Sequence, residues 1–219
     1  MKKLQHLFDS NRSWADKINE DSPDFFAILA KQQAPDYLWI GCSDSRVPAN
    51  EIMGMMPGDV FVHRNVSNLV IHTDMNCLSV IQYAVTVLKI KHIMVVGHYG
   101  CGGVRAALES RPHGLIDNWL RHIRDIDMKH RGLLSAWQDS DHYLDRLCEL
   151  NVIEQAYNVC NTTITQDAWE KGQELTIHAW VYGLDNGLIQ DLNFCISDQD
   201  SIESGYAEAI EAINQKVIG

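Results

Sequence analysis

Hydrophobic and polar positions along this chain follow two different periods, and they take turns. Short apolar runs mark strands: Tyr37-Leu38-Trp39-Ile40 ending at Gly41, Val60-Phe61-Val62, and Ile93-Met94-Val95-Val96. Two more follow, Leu175 to Tyr182 and Leu188 to Phe194. The Asp185-Asn186-Gly187 between them is a hairpin signal, so the last strand should run antiparallel. Helical spacing fills the gaps. Cys77, Val80, Ile81, Ala84, Val85 and Leu88 share one face of a helix leading into the third strand. Leu115 to His130 and Asn151 to Lys171 read as longer helices, the second closed by Gly172. Asp200 with Glu203 resembles a capping box, opening a helix whose Ile202, Tyr206, Ala209, Ile210 and Ile213 lie together.

Residues 2–33 also read as helical, with Ser13 and Ser22 as breaks or caps. Their apolar positions (Leu4, Leu7, Phe8, Trp14, Ile18, Phe25, Phe26) have no strand of their own to cover, so the arm is expected to pack on a neighbouring subunit. Strand and helix alternate through the rest. The expectation is one α/β domain over residues 1–219: a helical arm at 1–35, then a core at 36–219 with a mainly parallel β-sheet flanked by helices, an antiparallel edge strand and a C-terminal helix.

Charge narrows the class of partner. The 219 residues carry 29 acidic against 18 basic side chains, a formal charge of −11. Such a field repels a duplex or an anionic membrane, so no nucleic acid and no membrane are expected as partners. No apolar run approaches the ~20 residues that span a bilayer. Met1-Lys2-Lys3 leads into a polar stretch unlike a signal peptide, which points to a cytoplasmic protein.

The six cysteines then change the picture. In a chain of this length with an ordinary core composition, free thiols or metal ligands are favoured over disulfides. Cys77, Cys148, Cys160 and Cys195 read as small core residues. Cys42 and Cys101 differ, because each sits in a loop directly after a strand: Gly41-Cys42-Ser43-Asp44-Ser45-Arg46 and Gly97-His98-Tyr99-Gly100-Cys101-Gly102-Gly103. Loops at the carboxyl ends of neighbouring parallel strands line the ligand crevice of such a sheet. If the first and third strands are neighbours, two thiolates and one imidazole converge there. That donor set suits Zn²⁺ and leaves a fourth position open, as catalytic sites do. Asp44 can fill that position or pair bidentately with Arg46, so the site can switch between closed and open.

Other signals carry less. The Gly97–Gly103 loop lacks both the Gly-x-Gly-x-x-Gly spacing and a Gly-Lys-Ser/Thr ending, so it is no nucleotide loop. His122 and His130 are eight apart with no acidic motif framing them. With His6, His63, His72, His92, His113, His142 and His178 they read as solvated or packing residues.

Cys42-Ser43-Asp44-Ser45-Arg46 together with His98-Tyr99-Gly100-Cys101-Gly102-Gly103 resembles the β-class carbonic anhydrases. The likeness continues through Phe61-Val62-His63-Arg64-Asn65-Val66, the helix from Asn76 to Val85, and Trp180-Val181-Tyr182, and looks most like the bacterial enzymes, including a bicarbonate-inhibited subgroup. It implies one zinc per subunit on Cys42, His98 and Cys101, with Asp44 as exchangeable fourth ligand and Arg46 as its partner in the active form. It implies reversible hydration of CO2 to bicarbonate by zinc-bound hydroxide, in a homodimer or homotetramer. Gln33 matches a substrate-binding position of the family, and Trp39, Arg64 and Tyr182 match a second, inhibitory bicarbonate site. Val47, Val66, Leu69 and Tyr83 are the expected CO2 walls. Asn50 departs from the pattern, where a Glu is expected. Two rival readings use the same donors: a hydrolase of a CO2-like molecule such as CS2 or COS, and a noncatalytic zinc module, which the Asp44–Arg46 pair disfavours.

Overall fold

A computed structural model describes residues 3–31, 33–138, 140 and 142–216, so Met1, Lys2 and Gln32 of the expected arm lie outside it. The chain divides into two compact units that meet in sequence between Ala34 and Pro35. In the first, α1 (Gln5–Asp21) runs straight through Ser13, whose hydroxyl donates to Asp9 O, and stops at Ser22. After it, α2 (Phe25–Leu29) turns Phe26 edge-on to Trp14, the ring centroids 5.7 Å apart. No residue of either helix is buried; Leu7, Phe8 and Ile28 are exposed.

The second unit is built on a five-stranded sheet in the order β2-β1-β3-β4-β5. Its strands are β1 (Tyr37–Cys42), β2 (Val60–Asn65), β3 (His92–His98), β4 (Thr176–Tyr182) and β5 (Ile189–Ile196). β1 pairs in parallel with β2 and β3, and β3 with β4, while β5 returns antiparallel on β4 as the Asp-Asn-Gly turn predicts. The chain leaves β1 toward β2 on one side and β3 toward β4 on the other. Beyond the carboxyl ends of β1 and β3 the connections therefore part, which opens a crevice at that switch point. Cys42 ends β1 and His98 ends β3.

Both faces of the central strands are covered, so β1 and β3 read as unbroken apolar runs rather than alternating ones. Leu38, Ile40, Ile93 and Val95 are fully buried on one face, against Ile81, Leu120, Ile123, Ile153 and Val159. Trp39, Met94, Val96 and Val47 fill the other. Each such side chain stabilises the fold by about 1.5–3 kcal/mol through burial.

The helices are α3 (Ala49–Met53), α4 (Met75–Gln82), α5 (Gly102–Leu108), α6 (Ile116–Lys129), α7 (Arg131–Leu134), α8 (Tyr143–Cys160), α9 (Thr163–Glu170) and α10 (Ile202–Asn214). Four expectations are corrected. The helix expected over 151–171 is two helices, because Thr162 adopts an extended conformation and its side chain caps Thr165 N; α8 also begins eight residues earlier, at Tyr143. The helix through Cys77 widens into a π-turn over Tyr83–Leu88 and ends at left-handed Lys89. At α10, Asp200 and Glu203 form no capping box; the N-cap is Ser201, and Asp198 accepts from its backbone N–H. Cys195 is exposed on edge strand β5, not part of the core as expected.

Candidate metal centre

The three expected ligands converge. Cys42, His98 and Cys101 have ligand atoms within 4.8 Å of one another, and the side chains are buried (5, 1 and 2 % exposed). Cys42 Sγ and Cys101 Sγ are 3.9 Å apart. Sequence explains the approach: Gly100 takes φ +66°, which lets the chain turn sharply off β3 and bring Cys101 back over His98. Cys101 then starts α5, and the Val104 N–H turned toward its sulfur is one of the groups favouring the thiolate.

The electrostatics are those of a site prepared for a cation. The shared hydrogen bond with Cys42, with the nearby His98 ring and Ser67 hydroxyl, holds the Cys101 thiol far below its ordinary range against the cost of burial. The same bond, with burial, pushes the Cys42 thiol up. Two sulfurs this close resist ionising together unless a cation stands between them. Burial pulls the His98 imidazole down, but the nearby Cys101 sulfur, the bond to Tyr99 O and the charge of Asp44 outweigh it and leave it raised. His98 Nδ1 donates to Tyr99 O at 2.9 Å, which assigns the other nitrogen, Nε2, to the site. That Nε2 is buried with no hydrogen-bond partner. A buried, unpartnered imidazole nitrogen facing two sulfurs fits Zn²⁺ as a fourth-position-open donor set.

Asp44 stands beside these donors. Arg46 Nε reaches its Oδ1 at 2.9 Å and Arg46 Nη2 its Oδ2 at 2.7 Å, with a third bond from Arg46 N to Oδ1. Those bonds hold the Asp44 carboxyl well below the usual carboxylate range. Oδ2 lies 3.7 Å from His98 Nε2.

The loop carrying Asp44 is itself held by Arg64, which donates to Cys42 O at 2.8 Å and also to Asp44 O. Arg64 pairs in register with Gly41 and so shares the sheet face of Trp39, while Tyr182 packs in the same layer. Trp39 is fully buried, and its Nε1 has no partner. A Cβ on Gly41 would sit 2.1 Å from that nitrogen, so only glycine leaves room for the indole. Val47 and Leu69 are fully buried; Val66 and Tyr83 are exposed. Asn50 Nδ2 donates to Met56 O, closing the α3 turn. Gln33 belongs to the N-terminal unit and is exposed.

Ser67 escaped the sequence reading. Its N–H donates to Cys42 Sγ at 3.4 Å and its Oγ lies 3.5 Å from Cys101 Sγ. It adopts φ +67° in the turn after β2, and Asn151 of α8 donates to its carbonyl. The available signal was position: its loop follows a strand adjacent to β1, as the ligand loops do.

A second group, His63, Asp74 and Cys77, also brings ligand atoms within 4.8 Å. Its donors are committed elsewhere. Asp74 caps Asn76 N, and His63 Nε2 faces the Asn65 amide, whose orientation is fixed by two bonds to Leu69. A neutral imidazole has one lone pair, and that bond uses it. Burial pushes the Cys77 thiol up to about 12. The group is a packing cluster.

Comparison with known proteins shows the family. The carbonic anhydrase family profile matches residues 37–189, from the start of β1 to the start of β5. A carbonic anhydrase of Emericella nidulans is 50% identical over 187 residues, 85% of this chain and 82% of that protein. A β-carbonic anhydrase of Coccomyxa, solved with acetazolamide, superposes with a TM-score of 0.89 at 37% identity, covering 99% of this chain and all of the other. The chain belongs to the β-carbonic anhydrase family. Structures described as two tetrameric β-carbonic anhydrases of the ascomycete Sordaria macrospora include one that is 39% identical with a TM-score of 0.83, over 89% and 98% of the two chains. For this β-carbonic anhydrase family member, the Coccomyxa superposition makes the sheet with its antiparallel β4–β5 edge the family fold.

Proposed function

We propose that this chain catalyses the reversible hydration of CO2 to bicarbonate and a proton, with one zinc per subunit on Cys42, His98 and Cys101. The observation that carries the reading is the convergence of those donors, His98 Nε2 unpartnered, beside an Asp44 carboxylate held by Arg46. Zinc, when bound there, supplies the Lewis acidity that makes water nucleophilic near neutral pH. Asp44, kept ionised by Arg46, accepts a hydrogen bond from the attacking water and aims its lone pair at CO2. Val47, Val66, Leu69 and Tyr83 are the apolar walls proposed for CO2; a substrate-binding role for Gln33 rests on the family resemblance alone. Asp44 paired with Arg46 would leave a fourth position free for water, and Asp44 released from Arg46 would take that position instead.

Bicarbonate inhibition belongs to the same reading and is the basis for placing the chain with the bicarbonate-inhibited bacterial enzymes. The unpartnered Trp39 Nε1, Arg64 on the same face and Tyr182 in the same layer supply donors for a small oxyanion. An anion that draws Arg64 off Cys42 O and Asp44 O loosens the loop and lets Asp44 swing to the metal. A homodimer or homotetramer is proposed from the exposed apolar side chains of α1 and the tetrameric relatives. Among the described residues no helix is long and apolar enough to cross a membrane; a cytoplasmic location is proposed from the sequence alone. The test is a stopped-flow CO2 hydration assay across pH with zinc quantified on the same sample. Stoichiometric zinc with no hydration at any pH would overturn the activity.

A further inference from the structure

Glu149 is completely buried on α8, yet it carries a carboxylate. Lys216 Nζ at 2.7 Å, Arg146 Nη2 at 3.1 Å and the Tyr99 hydroxyl at 2.5 Å all converge on its Oε1. Its Oε2 and Arg146 Nε have no partner. A buried charge tied to three donors on one oxygen is expensive to maintain, and the metal-site reading does not use it. One of those donors, however, is the residue next to His98.

Tyr99 is held at two points. Its N–H donates to Tyr182 O at 3.1 Å, and its hydroxyl donates to Glu149. Between these anchors lies the Tyr99 carbonyl, which receives His98 Nδ1. The next residue is Gly100 at φ +66°, with open space where a Cβ would stand. A glycine hinge there would otherwise let the Tyr99 peptide plane turn.

We propose, on the reading that the site binds zinc, that Glu149 is a positioning residue of the metal centre. Through the Tyr99 hydroxyl it fixes the carbonyl that orients His98 and presents Nε2 to the metal. Partners of a ligating imidazole typically change metal affinity about 10–100-fold when removed. The Tyr99 hydroxyl and Glu149 act through that carbonyl and do not touch the imidazole, so about tenfold or less is the expectation.

The experiment uses the full chain as wild type, Tyr99→Phe, Glu149→Gln and the double variant. Zinc affinity is measured by chelator competition, and the Co²⁺-loaded protein is examined by visible absorption. Tyr99→Phe should weaken zinc about tenfold and alter the Co²⁺ spectrum while circular dichroism stays native. Glu149→Gln, which keeps shape and an acceptor, should weaken it less. The double variant should be no worse than Tyr99→Phe, because the two act in series. Zinc affinity and Co²⁺ spectrum unchanged in Tyr99→Phe would overturn the proposal, as would additive losses in the double variant. If Glu149→Gln does not fold, Tyr99→Phe alone decides. A wild-type chain that binds no zinc would instead overturn the metal reading beneath it.

Discussion

Arg46 grips Asp44 through both carboxylate oxygens, at 2.9 and 2.7 Å, while the second of those oxygens lies only 3.7 Å from His98 Nε2. Asp44 therefore has two competing partners within one side-chain rotation. Asp44→Asn should keep zinc and lose turnover, since an amide accepts less strongly and cannot pair bidentately. A hydrogen bond to a charged group is worth about 1.5–3 kcal/mol, which is about a 10–100-fold fall in kcat. Arg46→Ala should also keep zinc and fall in the same direction, because nothing then holds Asp44 off the metal. Wild-type turnover in either variant removes the gating role.

Metal binding should depend on each of the three converged donors. Cys42→Ser, His98→Ala and Cys101→Ser each leave two strong ligands, too few for a stoichiometric zinc. Atomic absorption on the purified variants should give well under one zinc per chain, and hydration activity should vanish with it. Chelation of the wild type should abolish activity and added zinc should restore it. Full zinc in any of the three variants would refute the ligand assignment.

The oxyanion site predicts a variant that escapes inhibition without losing the active centre. Tyr182→Phe removes a donor from the Trp39 layer but leaves Arg64 on Cys42 O and Asp44 O. Bicarbonate added between about pH 7 and about pH 9 should inhibit the wild type cooperatively and Tyr182→Phe weakly. Arg64→Ala is the poorer test, because it also unties the Asp44 loop. A wild type showing no cooperative inhibition across that range would argue against the second site.

Acid stability should trace to Glu154. Burial raises the pKa of this carboxyl, but bonds from His130 at 2.6 Å, Tyr206 and Lys129 at 2.9 Å outweigh burial and lower it to about 2. The folded pKa lies below the unfolded one, so its stabilisation is complete above pH ~4.5 and is lost as pH falls toward about 2. A shift of that size corresponds to about 3 kcal/mol. Urea unfolding of wild type and Glu154→Gln should differ most near neutral pH, draw together below pH ~4.5 and converge only toward about pH 2. A gap that stays constant would assign the stability to packing.

The strands and their order of chemistry were legible in the sequence because β1 and β3 are buried on both faces, which writes them as solid apolar runs with functional residues at their ends. The three ligands followed from that placement. What the sequence hid lies in α8. Buried nearly all round, it carries Arg146, Glu149, Asn151, Glu154 and Gln155 inside the protein. Polar residues in a buried helix erase the 3.6-residue stripe, so its first two turns carried no helical signal. Its contacts to Ser67 and Tyr99 span 84 and 50 positions, beyond any local pattern. Resemblance supplied Gln33, Trp39, Arg64 and Tyr182, none of which periodicity distinguishes from packing residues.

Ser67 sets up the final prediction, because its place against both sulfurs depends on a glycine. A Cβ on Gly103 would stand 2.2 Å from Ser67 Oγ and 2.9 Å from Val66 Cγ1. Ser67 cannot retreat freely: it is fully buried, and its carbonyl is bonded to Asn151. Gly103 is helical in α5, so alanine would be favoured by propensity by about 1 kcal/mol if space were the only question. Overpacking of this kind costs about 1–3 kcal/mol and should win. Gly103→Ala should therefore lower the unfolding midpoint and, by displacing Ser67 from Cys42 Sγ and Cys101 Sγ, weaken zinc retention as well. Gly102→Ala is the control, because a Cβ there meets nothing within 4 Å. It should be neutral or slightly stabilising by thermal melt, and equal behaviour of the two variants would show that Ser67 does not brace the sulfurs.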